Sequence, residues 1–214
     1  VSARYPVLLD VARLRVLVVG GGAVGARKVA GLVEAGGRPD VVSPEATAEL
    51  ADLVAREGLV WHRRPWSAET DAAGYHLVFA ATDSVDVNAA VADAARSAGA
   101  MVSRADQGDA GEVQVPSTLR EGDVVVALST GGASPLLARR IRERLAETVV
   151  TPGLGRAVRR LSQVRAEIQA RWAGDDARRR AFWFDLITPG FLDHAVRGRD
   201  DEVERAISRC LSQS

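Results

Sequence analysis

The chain has one cysteine, Cys210, and three histidines, at positions 62, 76 and 194. A single cysteine excludes an internal disulfide framework and cannot build a thiolate metal site alone. The histidines show no H-x-x-x-H or related spacing, so no metal site is read from them. Long apolar runs are also missing. Nothing approaches the ~18 uninterrupted apolar residues of a membrane span, and the opening "VSARYPVLLD" lacks the charged head and apolar middle of a signal peptide. The expectation is a cytoplasmic protein with no membrane attachment. Net charge is absent too, 28 basic residues balancing 28 acidic ones. No global field then draws the chain to nucleic acid, and an acidic ligand must be met locally. Lys28 is the only lysine; so uniform an arginine bias reads as genome composition rather than selection for phosphate binding.

What is present is an ordinary globular composition, 47% apolar and 26% charged over 214 residues, enough for a medium domain and a smaller one. Up to about residue 103, short β-branched runs alternate with alanine-rich stretches. Strands are expected at 15–19, 40–43, 59–62, 76–81 and 100–103, and helices near 24–35, 45–57 and 85–98. Continuous apolar strands separated by helices predict a doubly wound parallel sheet covered on both faces, an α/β Rossmann-like fold. In the third of those helices Val87, Val91 and Ala95 form the expected core stripe. After residue 112 the pattern changes to a hairpin, "VQVPS" and "VVVALS" around a turn at Arg120 to Asp123. Ser134 and Pro135 then start a helix as N-cap and first residue. "TPG" at 151–153 reads as a boundary before helices at 154–173, 175–187, 190–196 and 200–212.

Gly20, Gly22 and Gly25 form G-x-G-x-x-G after a strand and at the start of a helix. In this setting Gly20 allows the tight turn, Gly22 lets a pyrophosphate approach the backbone, and Gly25 allows helix to pack on strand. The phosphates then rest on the helix N-terminus. The acidic residue that often ends the second strand and grips the ribose is displaced. Asp40 comes too early and Glu45 follows a proline, so Ser43 and the backbone at Pro44 and Glu45 are the expected ribose contacts. No arginine claims a 2′-phosphate there, which favours NAD.

Other stretches admit two readings each. In "FAATDSVDVN" Thr82 and Asp83 lie at the carboxyl edge of the sheet, as cofactor contacts or as caps of the next helix. In "SRADQGDAGE" Asp106 and Asp109 offer a carboxylate able to act as general base or acid, or serve as turn residues. The loop "STGGASP", with Ser129, Thr130, Gly131, Gly132 and Ser134, is a cradle for a substrate carboxylate or phosphate, or a strand-to-helix turn that needs its glycines. His76 reads as structural, and Cys210 as a core residue on the stripe Val203, Ile207, Cys210 and Leu211.

Taken together, "YPVLLDVARLRVLVVGGGAVGARK", "FAATDSVDVN", "VVVALSTGGASPLLARRIRERLAETV" and a helical tail resemble the precorrin-2 dehydrogenase family, met also as the N-terminal half of siroheme synthase. The resemblance implies an NAD-binding Rossmann domain at 1–112, a dimerisation region at 113–150, a helical domain at 151–214, and a homodimer. It implies NAD-dependent oxidation of precorrin-2 to sirohydrochlorin, in siroheme or cobalamin biosynthesis, with metal insertion by ferrochelatase activity in some members. The family's important aspartate falls on Asp106. The nucleotide would touch Gly22, Ala23 and Val24, then Ser43 to Glu45, with Thr82 and Asp83 toward the nicotinamide. Where members often carry Asn-x-x-Asp, this chain has Ser103 to Asp106, and Thr130 stands where some siroheme synthases carry a phosphorylated serine. A polycarboxylate substrate would be met by the "STGGASP" helix start and by Arg104 or nearby arginines. The alternative of another class is an NAD(H)-sensing regulatory module without turnover.

Overall fold

The computed structural model describes residues 4–108 and 110–213, and Asp109 therefore lies outside the described residues. The chain divides into two compact units, Val1–Val115 and Pro116–Ser214.

The first unit contains β1 (Val16–Val19), α1 (Ala23–Glu34), β2 (Asp40–Val42), α2 (Ala48–Glu57), β3 (Trp61–His62), α3 (Ala68–Asp71), β4 (Leu77–Ala80), α4 (Val85–Ser97) and β5 (Met101–Arg104). The strands form one parallel sheet in the order β3-β2-β1-β4-β5. All four residues of β1 and of β4 are buried, and strand alternation divides them between two cores. Val16, Val18, Leu77 and Phe79 pack with α1 and α2, while Leu17, Val19, Val78 and Ala80 pack with α4 and β5. Each such side chain withdrawn from water contributes about 1.5–3 kcal/mol. The chain winds outward from β1 through β2 to β3, then crosses back to β4. That crossing opens a crevice beyond the carboxyl ends of β1 and β4, where Val19 pairs with Ala80.

Three details depart from the sequence-based expectation. The short α3 was not anticipated; it forms because the buried Asp71 accepts from the Ser67 N–H and from both arms of Arg64. Hydrogen bonding from Arg64 lowers the Asp71 pKa against the opposing effect of burial. α2 starts at Ala48 rather than 45, because Pro44 leads into Thr47, whose hydroxyl caps the Leu50 N–H. In α4 Val87 is exposed, and the buried face is Asn88, Val91, Ala92 and Ala95.

The second unit starts with β6 (Ser117–Glu121) and β7 (Val124–Leu128), an antiparallel pair. The first strand of the hairpin is thus "STLRE", not "VQVPS". Pro116 has no N–H to give a ladder, and Glu121 pairs with Val124 across a two-residue turn whose Gly122 has φ +56. Five helices follow: α5 (Pro135–Thr148), α6 (Pro152–Arg171), α7 (Asp176–Leu186), α8 (Pro189–Val196) and α9 (Asp200–Gln213). "TPG" begins α6 itself rather than preceding it. The same device, hydroxyl cap then proline, starts α5, α6 and α8 at Ser134, Thr151 and Thr188. Val164, Ile168, Phe182, Leu186, Ile207 and Cys210 make the core of this unit, which bears out the core reading of Cys210. Among the described residues no helix is long and apolar enough to cross a membrane.

Candidate functional site: the crevice above strands one and four

The glycine loop after β1 is built by close backbone approach. Gly20 has φ +117, and a Cβ there would lie 2.4 Å from the Ala81 carbonyl oxygen. A Cβ on Gly25 would meet the Gly20 oxygen at 2.0 Å. Gly21 belongs to the same constraint, though the motif assigns it no role. Its Cβ would fall 2.0 Å from the Glu45 carbonyl oxygen, and its own carbonyl accepts from the Thr47 N–H at 2.9 Å. The loop is thereby fastened to the turn after β2. The three consecutive glycines were the available signal.

Gly22 differs from all three. A Cβ on it would meet nothing within 4 Å, yet it is the N-cap of α1. No side chain caps that helix, whereas α2, α4, α5, α6, α7 and α8 each have a side-chain oxygen accepting a first-turn N–H. The first-turn amides at Ala23, Val24 and Gly25 have no intrahelical acceptor. They open onto a space into which no neighbouring side chain projects at Gly22. Such a cradle fits a phosphate diester of a dinucleotide, whose charge the helix dipole favours.

The other walls carry the remaining sequence-predicted residues. Ser43 is buried, its N–H donating to the His62 carbonyl (3.2 Å) and its own carbonyl accepting from Trp61 Nε1 (3.0 Å). Pro44 and Glu45 are exposed beside it. Asp40 is occupied away from the crevice, accepting from the Tyr75 hydroxyl at 2.7 Å. Burial, then this hydrogen bond, pushes the Tyr75 pKa up to about 12.

Thr82 follows β4 and is held by Asn88, a fully buried side chain with no place in the sequence reading. Asn88 Oδ1 accepts from the Thr82 N–H (3.0 Å) and hydroxyl (2.8 Å), and its amide donates to the Thr82 carbonyl (3.0 Å). One amide thus satisfies both backbone groups of the loop residue. The cap of α4 is Ser84, leaving Asp83 exposed. An asparagine six positions after Thr82 was the only sign of this clamp.

Asp106 lies past the end of β5 and is gripped by Arg104 in a two-pronged pair, 2.6 Å from Nη2 and 3.2 Å from Nε. The two side chains are 18% and 9% exposed respectively. Hydrogen bonding from Arg104 lowers the Asp106 pKa; partial burial opposes this, and the Asp106 and Gln107 N–H groups add to the lowering. Asp106 is therefore a firmly ionised hydrogen-bond acceptor, and a weaker base than a free carboxylate. His76 proves structural, its Nδ1 accepting from the Arg15 N–H at 3.0 Å.

In the second unit, the loop 129–134 satisfies itself. Thr130 Oγ1 donates to the Ser134 carbonyl and accepts from the Ser134 N–H. Ser129 accepts from the Gly131 N–H, and Ser134 caps the Leu137 N–H. Gly131 and Gly132 have φ +61 and +82. Among the described residues no group of three or more His, Cys, Asp or Glu side chains could hold a metal.

Comparison with known proteins agrees with this geometry. A family model described as "Putative NAD(P)-binding" matches residues 7–117, and one described as "Sirohaem biosynthesis protein central" matches residues 122–148. The siroheme synthase of Chromobacterium violaceum is 39% identical over 202 residues, covering 94% of this chain and 42% of that protein. That of Methylococcus capsulatus is 37% identical over the same coverage. The chain thus spans less than half the length of these relatives. Among solved structures, "SirC, precorrin-2 dehydrogenase" superposes with a TM-score of 0.74 at 28% identity, covering 94% of this chain and 99% of that one.

Proposed function

The chain belongs to the NAD(P)-binding family matched over residues 7–117, and from that premise we propose that it is an NAD-dependent precorrin-2 dehydrogenase. It acts as a cytoplasmic homodimer and converts precorrin-2 to sirohydrochlorin. The observation that carries the reading is the cradle at Gly22, where α1 starts with no side chain capping its first turn and with open space beside the backbone. Its position at the crossing between β1 and β4 is where doubly wound sheets bind ligands.

When bound, the dinucleotide supplies a hydride acceptor. The residues assigned to hold it are Gly20, Gly22, Ala23, Val24 and Gly25 at the phosphates and Ser43, Pro44 and Glu45 at the ribose. Thr82 and Asp83 lie toward the nicotinamide, and Asn88 fixes the path of the chain at Thr82. Asp106 stays ionised and accepts hydrogen bonds from pyrrole N–H groups; it takes up the substrate proton only if its grip on Arg104 loosens. Ser129, Thr130, Gly131, Gly132 and Ser134 are assigned to the substrate, whose carboxylates would compete with the loop's internal hydrogen bonds.

Dimerisation is assigned to 113–150. A two-stranded hairpin is marginal by itself, and α5 leaves Leu136 and Leu137 63% and 52% exposed, with Ala138 its one buried residue. A second copy covering that face would bury it.

Anaerobic incubation with precorrin-2 and NAD⁺ tests the assignment. NADH and sirohydrochlorin should rise together, and Asp106→Ala should retain NAD⁺ affinity while losing most turnover. Repeating the reaction with Fe²⁺ or Co²⁺ detects metal insertion as loss of sirohydrochlorin above the enzyme-free rate. Tight NAD⁺ binding with no NADH formed would instead make the chain a sensing module.

A further inference from the structure

Beside the dinucleotide cradle, and sharing Val24 with it, the first unit holds a cavity of about 440 Å³. One wall is Val24, Arg27 and Lys28 of α1, three positions that share a helix face at i, i+3 and i+4. Across it lie Ser103, Arg104 and Ala105 at the end of β5, with Gln114 beyond. Three cations line the space, and among the described residues that line it none is acidic. Arg104 is engaged by Asp106, but among the described residues no carboxylate lies within salt-bridge distance of Arg27 or Lys28. The Lys28 ammonium lies over the face of Phe79, 5.7 Å from the ring centre. Burial, and then repulsion from Arg27, lowers its pKa.

The composition adds an independent sign. Of 28 basic residues, 27 are arginine, 28 minus the single Lys28. Against such a bias, one retained lysine marks a place where a compact ammonium suits better than a planar fork.

We propose that Arg27 and Lys28 form an anchoring subsite for the acetate and propionate carboxylates at one edge of the tetrapyrrole. The inference rests on the dehydrogenase reading for its ligand. Among the described residues the pair has no carboxylate partner, and a substrate carboxylate entering the cavity would supply the missing charge. The subsite orients the macrocycle without touching its reacting carbon, so it governs affinity rather than the chemical step.

The probe is sirohydrochlorin, titrated into dinucleotide-free protein and followed by its visible absorbance, with NAD⁺ affinity measured separately by calorimetry. Lys28→Met keeps the buried stem and removes the charge; Arg27→Gln acts at an exposed position and leaves folding intact. Each should weaken sirohydrochlorin binding about tenfold and flatten its salt dependence. NAD⁺ affinity should stay unchanged, and precorrin-2 KM should rise with kcat retained. Lys28→Arg, which keeps the charge in a planar fork, should recover the salt dependence but only part of the affinity. Unchanged sirohydrochlorin binding in both variants would overturn the proposal, as would an equal loss of NAD⁺ affinity, which would assign the pair to the dinucleotide phosphates. Failure of the dehydrogenase reading looks different: wild-type protein would then bind sirohydrochlorin, with the same dependence on Lys28, yet form no NADH.

Discussion

Each unit has a glycine-rich loop running from a strand into a helix, and the two are finished in opposite ways. After β7, Ser134 caps α5 and Thr130 closes the loop on itself. After β1, no side chain caps α1, and the loop is closed by backbone contacts at Gly20, Gly21 and Gly25. Similar composition therefore conceals different availability. One loop has used its nearest hydroxyls internally; the other keeps its first-turn amides for something from outside.

The largest test of this contrast is Gly21→Ala. The added methyl would overlap the Glu45 carbonyl, and the apo protein should lose about 3 kcal/mol in denaturant unfolding. An unchanged midpoint would mean the loop is not fastened there. Gly22→Asp separates folding from binding, because a Cβ at Gly22 has open space and aspartate is a good N-cap. Apo stability should hold or rise by a few tenths of a kcal/mol, while NAD⁺ affinity falls about a hundredfold as the carboxylate takes the phosphate's place. Retained affinity would dissolve the distinction between the loops.

Asn88→Ala removes the clamp on Thr82. It should cost about 2 kcal/mol, since it leaves two backbone groups without their partner, and should weaken NAD⁺ as well as lower the melting temperature. Ser134→Ala should cost about 1 kcal/mol by loss of the cap and leave NAD⁺ affinity alone. The smallest expected effect is on pH dependence. The Asp106 pKa is depressed in the folded protein, so its ion pair with Arg104 is fully present above the ordinary carboxylate range and is lost as pH falls through the lowered value. The acid limb of the rate profile should lie below that range and move up in Arg104→Gln.

The parallel sheet was legible in the sequence because β1 and β4 are buried on both faces and read as unbroken apolar runs. The hairpin was legible in kind but displaced in register, since Val113 and Val115 look like strand residues until Pro116 is weighed as a missing donor. Motif spacing located Gly20, Gly22 and Gly25, but it could not show that Gly21 meets the turn after β2, a contact between residues 24 positions apart in the chain. Asn88 escaped notice because a polar residue on a helix is read as solvated; only the fold brings Thr82 to it. The Arg104 grip on Asp106 likewise depends on side-chain direction, and it changes the carboxylate from a candidate base into an anchored anion.

The uncapped start of α1 also ties the protein's survival to its cofactor. A helix end left without a partner is a local weakness, and a ligand bound only by the folded form removes it; at a free concentration one hundred times Kd the gain is about 2.7 kcal/mol. In a cell short of oxidised dinucleotide, more copies would open transiently and meet proteases. Abundance of the protein would then follow the supply of the dinucleotide it binds.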